Sequence, residues 1–247
     1  MTLELDMTTN RRTMLGLTAL AAGAATVAAA SPVIAADDVK GMADTGMTPD
    51  KALAKLIDGN RRFVADRLTV ADISTKRRLE IAKSQSPFAI LVGCADSRVG
   101  PEHLFGGGLG ELFIVRTAGN YLDDAGFGSV AYGVAALGTP LIVVLGHERC
   151  GAVDAATKLV TGNSQLPPSL NRMVQPILPA VIDARATLGD KTDLVDHAIH
   201  MNVRHVVKAL RETADPILAE PIKAGKVKIV GAYYDLDTGA VNFFDRG

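Results

Sequence analysis

From residue 48 onward the chain reads as short apolar runs separated by stretches with helical spacing. Phe88–Gly93, Leu112–Val115, Pro140–Gly146 and Val227–Tyr233 are almost continuously apolar rather than alternating. That is the pattern of strands covered on both faces. Between them, Gly128–Leu137, Gly151–Val160 and Asp193–Thr213 are expected to be helical. The alternation predicts an α/β domain with a mainly parallel central sheet flanked by helices. Tyr233 to Phe244 reads as two strands around Asp237-Thr238-Gly239, so four parallel strands gain a C-terminal antiparallel edge strand. Ahead of the sheet, Thr48 is the expected N-cap of a helix with Pro49 at its first position. Leu53, Leu56, Ile57, Phe63 and Val64 continue it as an N-terminal helical arm, with Gly59 weakening its middle. Residues 163–190 carry Pro167, Pro168, Pro176 and Pro179 and are expected to be broken helices and turns. No internal repeat is present.

The amino-terminal segment follows a different pattern. Arg11-Arg12 precede an uncharged run from Met14 to Ala30, and Val33-Ile34-Ala35 supplies small residues before Asp37-Asp38. Charged start, apolar middle and small-residue cut site are the parts of a secretory signal. The paired arginines point to the twin-arginine type. Residues 1–35 are therefore expected to be a signal peptide cleaved near Ala35, residues 36–47 a flexible linker, and residues 48–247 the folded domain. The expected location is periplasmic, without a stable membrane anchor.

Composition changes this picture only by exclusion. The 247 residues carry 26 Lys and Arg against 27 Asp and Glu, which gives no basic footprint for nucleic acid. With four Tyr, seven Phe and no Trp, the chain also lacks the aromatic platforms that stack single-stranded bases.

The chemistry concentrates where strands end. In open α/β sheets functional groups collect beyond the carboxyl ends of strands. The first strand runs into Cys94-Ala95-Asp96-Ser97-Arg98, the second into Arg116-Thr117-Ala118-Gly119-Asn120, and the third into His147-Glu148-Arg149-Cys150-Gly151. A three-residue step lets His147 and Cys150 face one point, and Cys94 reaches it if the first and third strands are neighbours. Two thiolates and an imidazole are good zinc ligands and leave one position for a reacting water. In an exported protein, a disulfide between Cys94 and Cys150 accounts for the two cysteines equally well.

The full set closely resembles the β-class carbonic anhydrase family. It comprises Cys-x-Asp-x-Arg at one strand end and Gly-His-x-x-Cys-Gly at another, with Asp58-Gly59-Asn60-Arg61-Arg62-Phe63, Gln85-Ser86-Pro87-Phe88 and Glu111–Arg116. The resemblance runs from about Thr48 to Phe244. It implies one Zn2+ per subunit on Cys94, His147 and Cys150, a catalytic pair Asp96 and Arg98, and substrate contacts from Gln85, Phe113, Gly151 and a partner-subunit Tyr132. The implied activity is reversible hydration of carbon dioxide to bicarbonate and a proton by a zinc-bound hydroxide. The implied partners are those two small molecules and further copies of the chain, as a homodimer or homotetramer. Carbonyl sulfide or carbon disulfide hydrolysis on the same scaffold, and an inactive zinc-binding sensor, are the rival readings. The family's off state, with the aspartate on the metal, stays open. Bicarbonate control of the kind that uses a Trp-containing pocket is not expected, because there is no Trp. Thr117 stands where the family commonly has Asn, and Gly106 replaces a polar residue.

Other polar residues are expected to be structural. His103 reads as a solvated or hydrogen-bonding side chain rather than a proton relay, since an imidazole alone does not make one. His197, His200 and His205 read as a polar helix face rather than a second metal site. Gly106-Gly107-Gly108 lacks the Lys-Ser/Thr of a phosphate loop.

Overall fold

The computed structural model describes residues 45–67, 71–162, 164–188 and 193–247. The signal-like segment 1–35 and the linker up to residue 44 lie outside them. Thr48 caps the first helix, α1 (Pro49–Val64), by accepting a hydrogen bond from the Lys51 amide. There follow α2 (Thr75–Ile81), β1 (Ala89–Cys94), α3 (Pro101–Phe105), β2 (Leu112–Thr117), α4 (Asp124–Ala135), β3 (Leu141–His147) and α5 (Gly151–Val160). Then come α6 (Pro168–Val174), a 3-10 turn at Gln175–Ile177, α7 (Leu178–Leu188), α8 (Leu194–Arg211), α9 (Pro216–Lys223), β4 (Lys228–Tyr234) and β5 (Val241–Asp245).

The sheet order is β2-β1-β3-β4-β5, with the first four strands parallel and β5 antiparallel to β4. This is the expected α/β architecture. The continuous apolar runs arise because successive strand residues enter opposite cores. Ala89 and Leu91 of β1 and Leu141, Val143 and Leu145 of β3 pack beneath α1 and α3. Ile90, Val92, Ile142 and Val144 face α4, α8 and α9. All nine are buried, and each large aliphatic among them contributes about 1.5–3 kcal/mol by leaving water.

Some segments differ from the expected pattern. Within residues 164–188 the expected broken helices are present as α6 and the 3-10 turn, but Leu178–Leu188 is a longer continuous helix than the prolines suggested. Pro179 sits in its first turn, where no backbone donor is required. The short helices α2, α3 and α9 had no clear sequence signal, and α9 even contains Pro221.

Gly59 and Asn60 explain the α1 motif. A Cβ at Gly59 would collide with the backbone carbonyl of Phe105, so only glycine lets α1 seat on α3. Asn60 is 6% exposed and donates to the carbonyls of Gly239 (2.9 Å) and Leu104 (3.4 Å), while its oxygen accepts from the Val241 amide (2.8 Å). One side chain thus joins α1, α3 and the β4–β5 turn.

Chain order places the site. From β1 the chain steps to β2 on one side, then crosses to β3 on the other, with α3 on one face and α4 on the opposite face. A strand order of this kind opens a crevice between β1 and β3 at their carboxyl ends.

Candidate metal centre

Cys94 ends β1 and His147 ends β3, so the crevice brings them side by side. The chain then turns through Glu148 and Arg149 to Cys150, the N-cap of α5. Arg149 adopts a left-handed backbone (φ 51°), uncommon for a non-glycine residue, and this tight turn returns Cys150 toward His147. The ligand atoms of Cys94, His147 and Cys150 lie within 4.8 Å of one another, and all three residues are buried. Among the described residues no other group of three or more His, Cys, Asp or Glu side chains converges in this way.

The donor set fits a zinc ion. The two sulfurs are 4.0 Å apart and both cysteines are free thiols rather than a disulfide. Two Zn–S bonds of about 2.3 Å at a tetrahedral angle put sulfurs about 3.8 Å apart. His147 is fully buried, and its Nδ1 lies 2.8 Å from the Glu148 carbonyl oxygen. Donation from Nδ1 leaves the Nε2 lone pair free, and that nitrogen has no hydrogen-bond partner. A cation would satisfy a buried acceptor left unpaired beside two sulfurs.

The two thiols share a proton unequally. Hydrogen bonding from Cys150 draws the Cys94 thiol far below its ordinary value, helped by the Gly119 amide and opposed by burial. Donation to Cys94, together with burial, pushes Cys150 up. The position of Cys150 at the start of α5 favours its ionised form once a cation replaces the proton.

Asp96 and Arg98 form a bidentate pair at the mouth. Arg98 Nε donates to Asp96 Oδ1 at 2.9 Å and Nη2 to Oδ2 at 2.7 Å, while the Arg98 amide also donates to Oδ1 at 2.9 Å. These bonds hold the Asp96 carboxyl well below the usual carboxylate range, against a smaller effect of burial. Asp96 Oδ2 lies 3.9 Å from His147 Nε2, so the carboxylate overlooks the cluster while engaged with Arg98. Arg98 Nη2 also donates to the Arg149 carbonyl at 3.3 Å, tying the pair to the ligand turn.

Several supporting residues carried no role in the sequence reading. Arg116 donates to the carbonyls of Cys94 (2.7 Å), Asp96 (2.7 Å) and Val99 (2.8 Å), so one guanidinium fixes the whole Cys94–Val99 loop. The Arg149 guanidinium is held by Asp237 through two bonds of 2.9 and 2.6 Å. The Gly119 amide donates to Cys94 Sγ at 3.3 Å. An arginine at a strand end is a weak signal, and the other contacts join residues far apart in sequence.

Of the remaining candidates Gly151 adjoins the cluster, whereas Phe113, Tyr132 and Gln85 lie apart from it in this one chain. Gly151 follows Cys150, is exposed, and has nothing within 4 Å of where a Cβ would stand. Phe113 pairs in register with Ile90, four residues before Cys94, which is roughly 13 Å along the strand. Tyr132 lies beside it, with ring centroids 6.2 Å apart, and is half exposed. Gln85 is exposed in the loop before β1. His197 contacts Thr187 (3.0 Å), and His200 stacks on Tyr233 with centroids 4.4 Å apart. His205 pairs with Asp183 at 2.8 Å.

A parallel α/β sheet carrying two cysteines and a histidine at its switch point, with a carboxylate–guanidinium pair overhead, defines a metalloenzyme scaffold. The carbonic anhydrase family profile matches residues 89–241. Carbonic anhydrase 2 of Mycobacterium tuberculosis is 40% identical over 191 residues, which cover 77% of this chain and 90% of that one. The β-carbonic anhydrase of Coccomyxa, solved with acetazolamide, is 27% identical with a TM-score of 0.60, covering 78% and 86% of the two chains. A tetrameric β-carbonic anhydrase of Sordaria macrospora shares the fold at 23% identity, with a TM-score of 0.61 and coverage of 67% and 84%. The chain belongs to the carbonic anhydrase family, in its β class.

Proposed function

We propose that Cys94, His147 and Cys150 hold one zinc ion in each subunit, and that Asp96 and Arg98 serve it in the reversible hydration of carbon dioxide to bicarbonate and a proton. Membership of the family makes the chain a carbonate dehydratase that uses zinc. The observation that carries the residue assignment is the buried, unpartnered His147 Nε2 converging with two free sulfurs beneath the Asp96–Arg98 pair.

Carbon dioxide is small and uncharged, so binding it supplies little energy and the site must present a strong nucleophile at close range. Zinc, when bound, supplies the acidity that makes water nucleophilic near neutral pH. The protein supplies orientation. Asp96 Oδ2 would accept a hydrogen bond from the O–H of the nucleophile, without taking its proton, and so turn a lone pair toward the carbon. Arg98 keeps Asp96 ionised and aimed, since its three hydrogen bonds fix both carboxylate oxygens. A pure sensor has no use for that pair, which favours catalysis over an inactive zinc protein.

We assign Gln85, Phe113, Tyr132 and Gly151 to the substrate pocket, with Tyr132 reaching it from a second copy of the chain. The exposure of Tyr132, and the place of β2 at the edge of the described sheet, support a homodimer or a multiple of it. Residues 1–35 are assigned to twin-arginine export, residues 36–47 to a linker and residues 48–247 to the catalytic domain. Export of a completed fold suits a site whose thiols oxidise if they leave the cell without metal, and it gives a periplasmic location.

The test is a stopped-flow carbon dioxide hydration assay, with zinc analysis and sizing, on the domain purified from its own compartment. Expected are one zinc per chain, turnover, and a species of at least two chains. A disulfide-linked chain without zinc or turnover refutes the assignment. Retention of an Arg11→Lys, Arg12→Lys variant in the cytoplasm is the expected sign of twin-arginine export, and undiminished export refutes it.

A further inference from the structure

We propose that Asn202, on α8, is a positioning residue for the zinc ligand Cys94, acting through Gly119. The inference rests on Cys94 being a zinc ligand. Asn202 is 2% exposed on a helix face whose neighbours, Ile199, Val203 and Val206, are apolar. A buried amide on such a face costs stability unless it is hydrogen-bonded. Its Nδ2 donates to the Gly119 carbonyl at 2.8 Å. The amide of the same residue donates to Cys94 Sγ at 3.3 Å. Gly119 therefore has its carbonyl held by α8 and its N–H aimed at the sulfur.

The backbone makes this linkage necessary. Gly119 has a φ of +82°, a conformation glycine leaves as readily as it adopts. Packing crowds it on the side where a Cβ would stand, which would meet Ile177 Cδ1 at 2.5 Å and Ala152 Cβ at 3.2 Å. Without Asn202 the Gly119 carbonyl would be buried without that donor, and rotation of the turn to find another would carry the N–H away from Cys94. An N–H···S bond withdraws electron density from a thiolate ligand and fixes its lone pairs. Groups that orient ligands in this way change metal affinity about 10- to 100-fold.

The test uses Asn202→Leu, which keeps the apolar surroundings and removes the donor. Zinc release into excess chelator is expected to accelerate about tenfold. In the Co2+-substituted protein, the sulfur-to-cobalt charge-transfer band is expected to move to lower energy as Cys94 becomes more electron-rich. kcat is expected to fall, with KM little changed. A purely structural role for Asn202 lowers the melting temperature but moves neither the band nor the release rate, and that result overturns the proposal. If Asn202→Leu does not fold, Asn202→Ser, too short to reach the Gly119 carbonyl, takes its place. Independently, the 113Cd-substituted native chain is expected to show scalar coupling between cadmium and the Gly119 amide proton, and absence of coupling overturns the proposal. A native chain that binds neither zinc nor cobalt refutes the zinc assignment itself, whereas native binding with unaltered Asn202→Leu behaviour refutes only the role of Asn202.

Discussion

Replacing Asp96 by Asn separates the work of the carboxylate from that of the ligands. In the native site Arg98 supplies three donors to the two Asp96 oxygens, and Oδ2 also lies 3.9 Å from His147 Nε2. An amide has a single oxygen. With that oxygen turned to Arg98, the NH2 group faces the cluster, and a donor stands where the nucleophile's proton needs an acceptor. A positioned acid or base is worth about 100- to 10,000-fold in rate, and a hydrogen-bond acceptor that only orients the proton stands at the lower end. The native Asp96 shares its charge with Arg98, so we expect the lower part of that range, a kcat fall of about 100- to 1,000-fold. That corresponds to about 2.7–4 kcal/mol of transition-state stabilisation. Neither sulfur nor the imidazole is altered, so zinc content should stay near one per chain. Stopped-flow hydration with a pH indicator, and metal analysis on the same sample, measure both. A variant with full zinc and kcat within about threefold of native refutes the role given to Asp96.

The Asp96 carboxyl is depressed chiefly by its hydrogen bond from Arg98, so the ionised pair persists above the ordinary carboxylate value of 3.8 and is lost only as pH falls through a lower one. The pH–rate profile should therefore show no Asp96 limb between about pH 5 and 9, while Arg98→Gln should bring an acid limb up toward about pH 4. Cys150→Ser should hold less than about a tenth of an equivalent of zinc, because all three ligands are needed to define the site, and metal analysis checks it. In the native chain, a thiol reagent should find both cysteines protected until a chelator removes zinc; two freely reacting thiols in the zinc-loaded protein speak against coordination. Gly59→Ala should cost about 3 kcal/mol or more, since its Cβ meets backbone that cannot turn aside. An unchanged thermal midpoint shows that α1 is seated differently.

Much was legible from local pattern alone. The four parallel strands were marked by continuous apolar runs, because both of their faces are covered and no polar alternation survives. Thr48-Pro49 marked the start of α1 because capping is decided within four residues. Cys94, Asp96, Arg98, His147 and Cys150 stood out because their spacings are short and their chemistry is uncommon at strand ends.

What needed the tertiary structure was adjacency. Spacing by itself left a disulfide and a metal as equal accounts of two cysteines, and it was the family resemblance that pointed to zinc. The order β2-β1-β3, and the imidazole it places beside both sulfurs, favour the metal. Asn60, Arg116, Asn202 and Asp237 read as ordinary polar residues. Each acquires its part from a backbone group or side chain met only on folding, 17 to 181 positions away. Hydrophobic periodicity records which face a residue buries, since burial depends on neighbours a turn or a strand position away. It does not record which buried donor meets which acceptor, because that depends on how separate elements come to rest against one another.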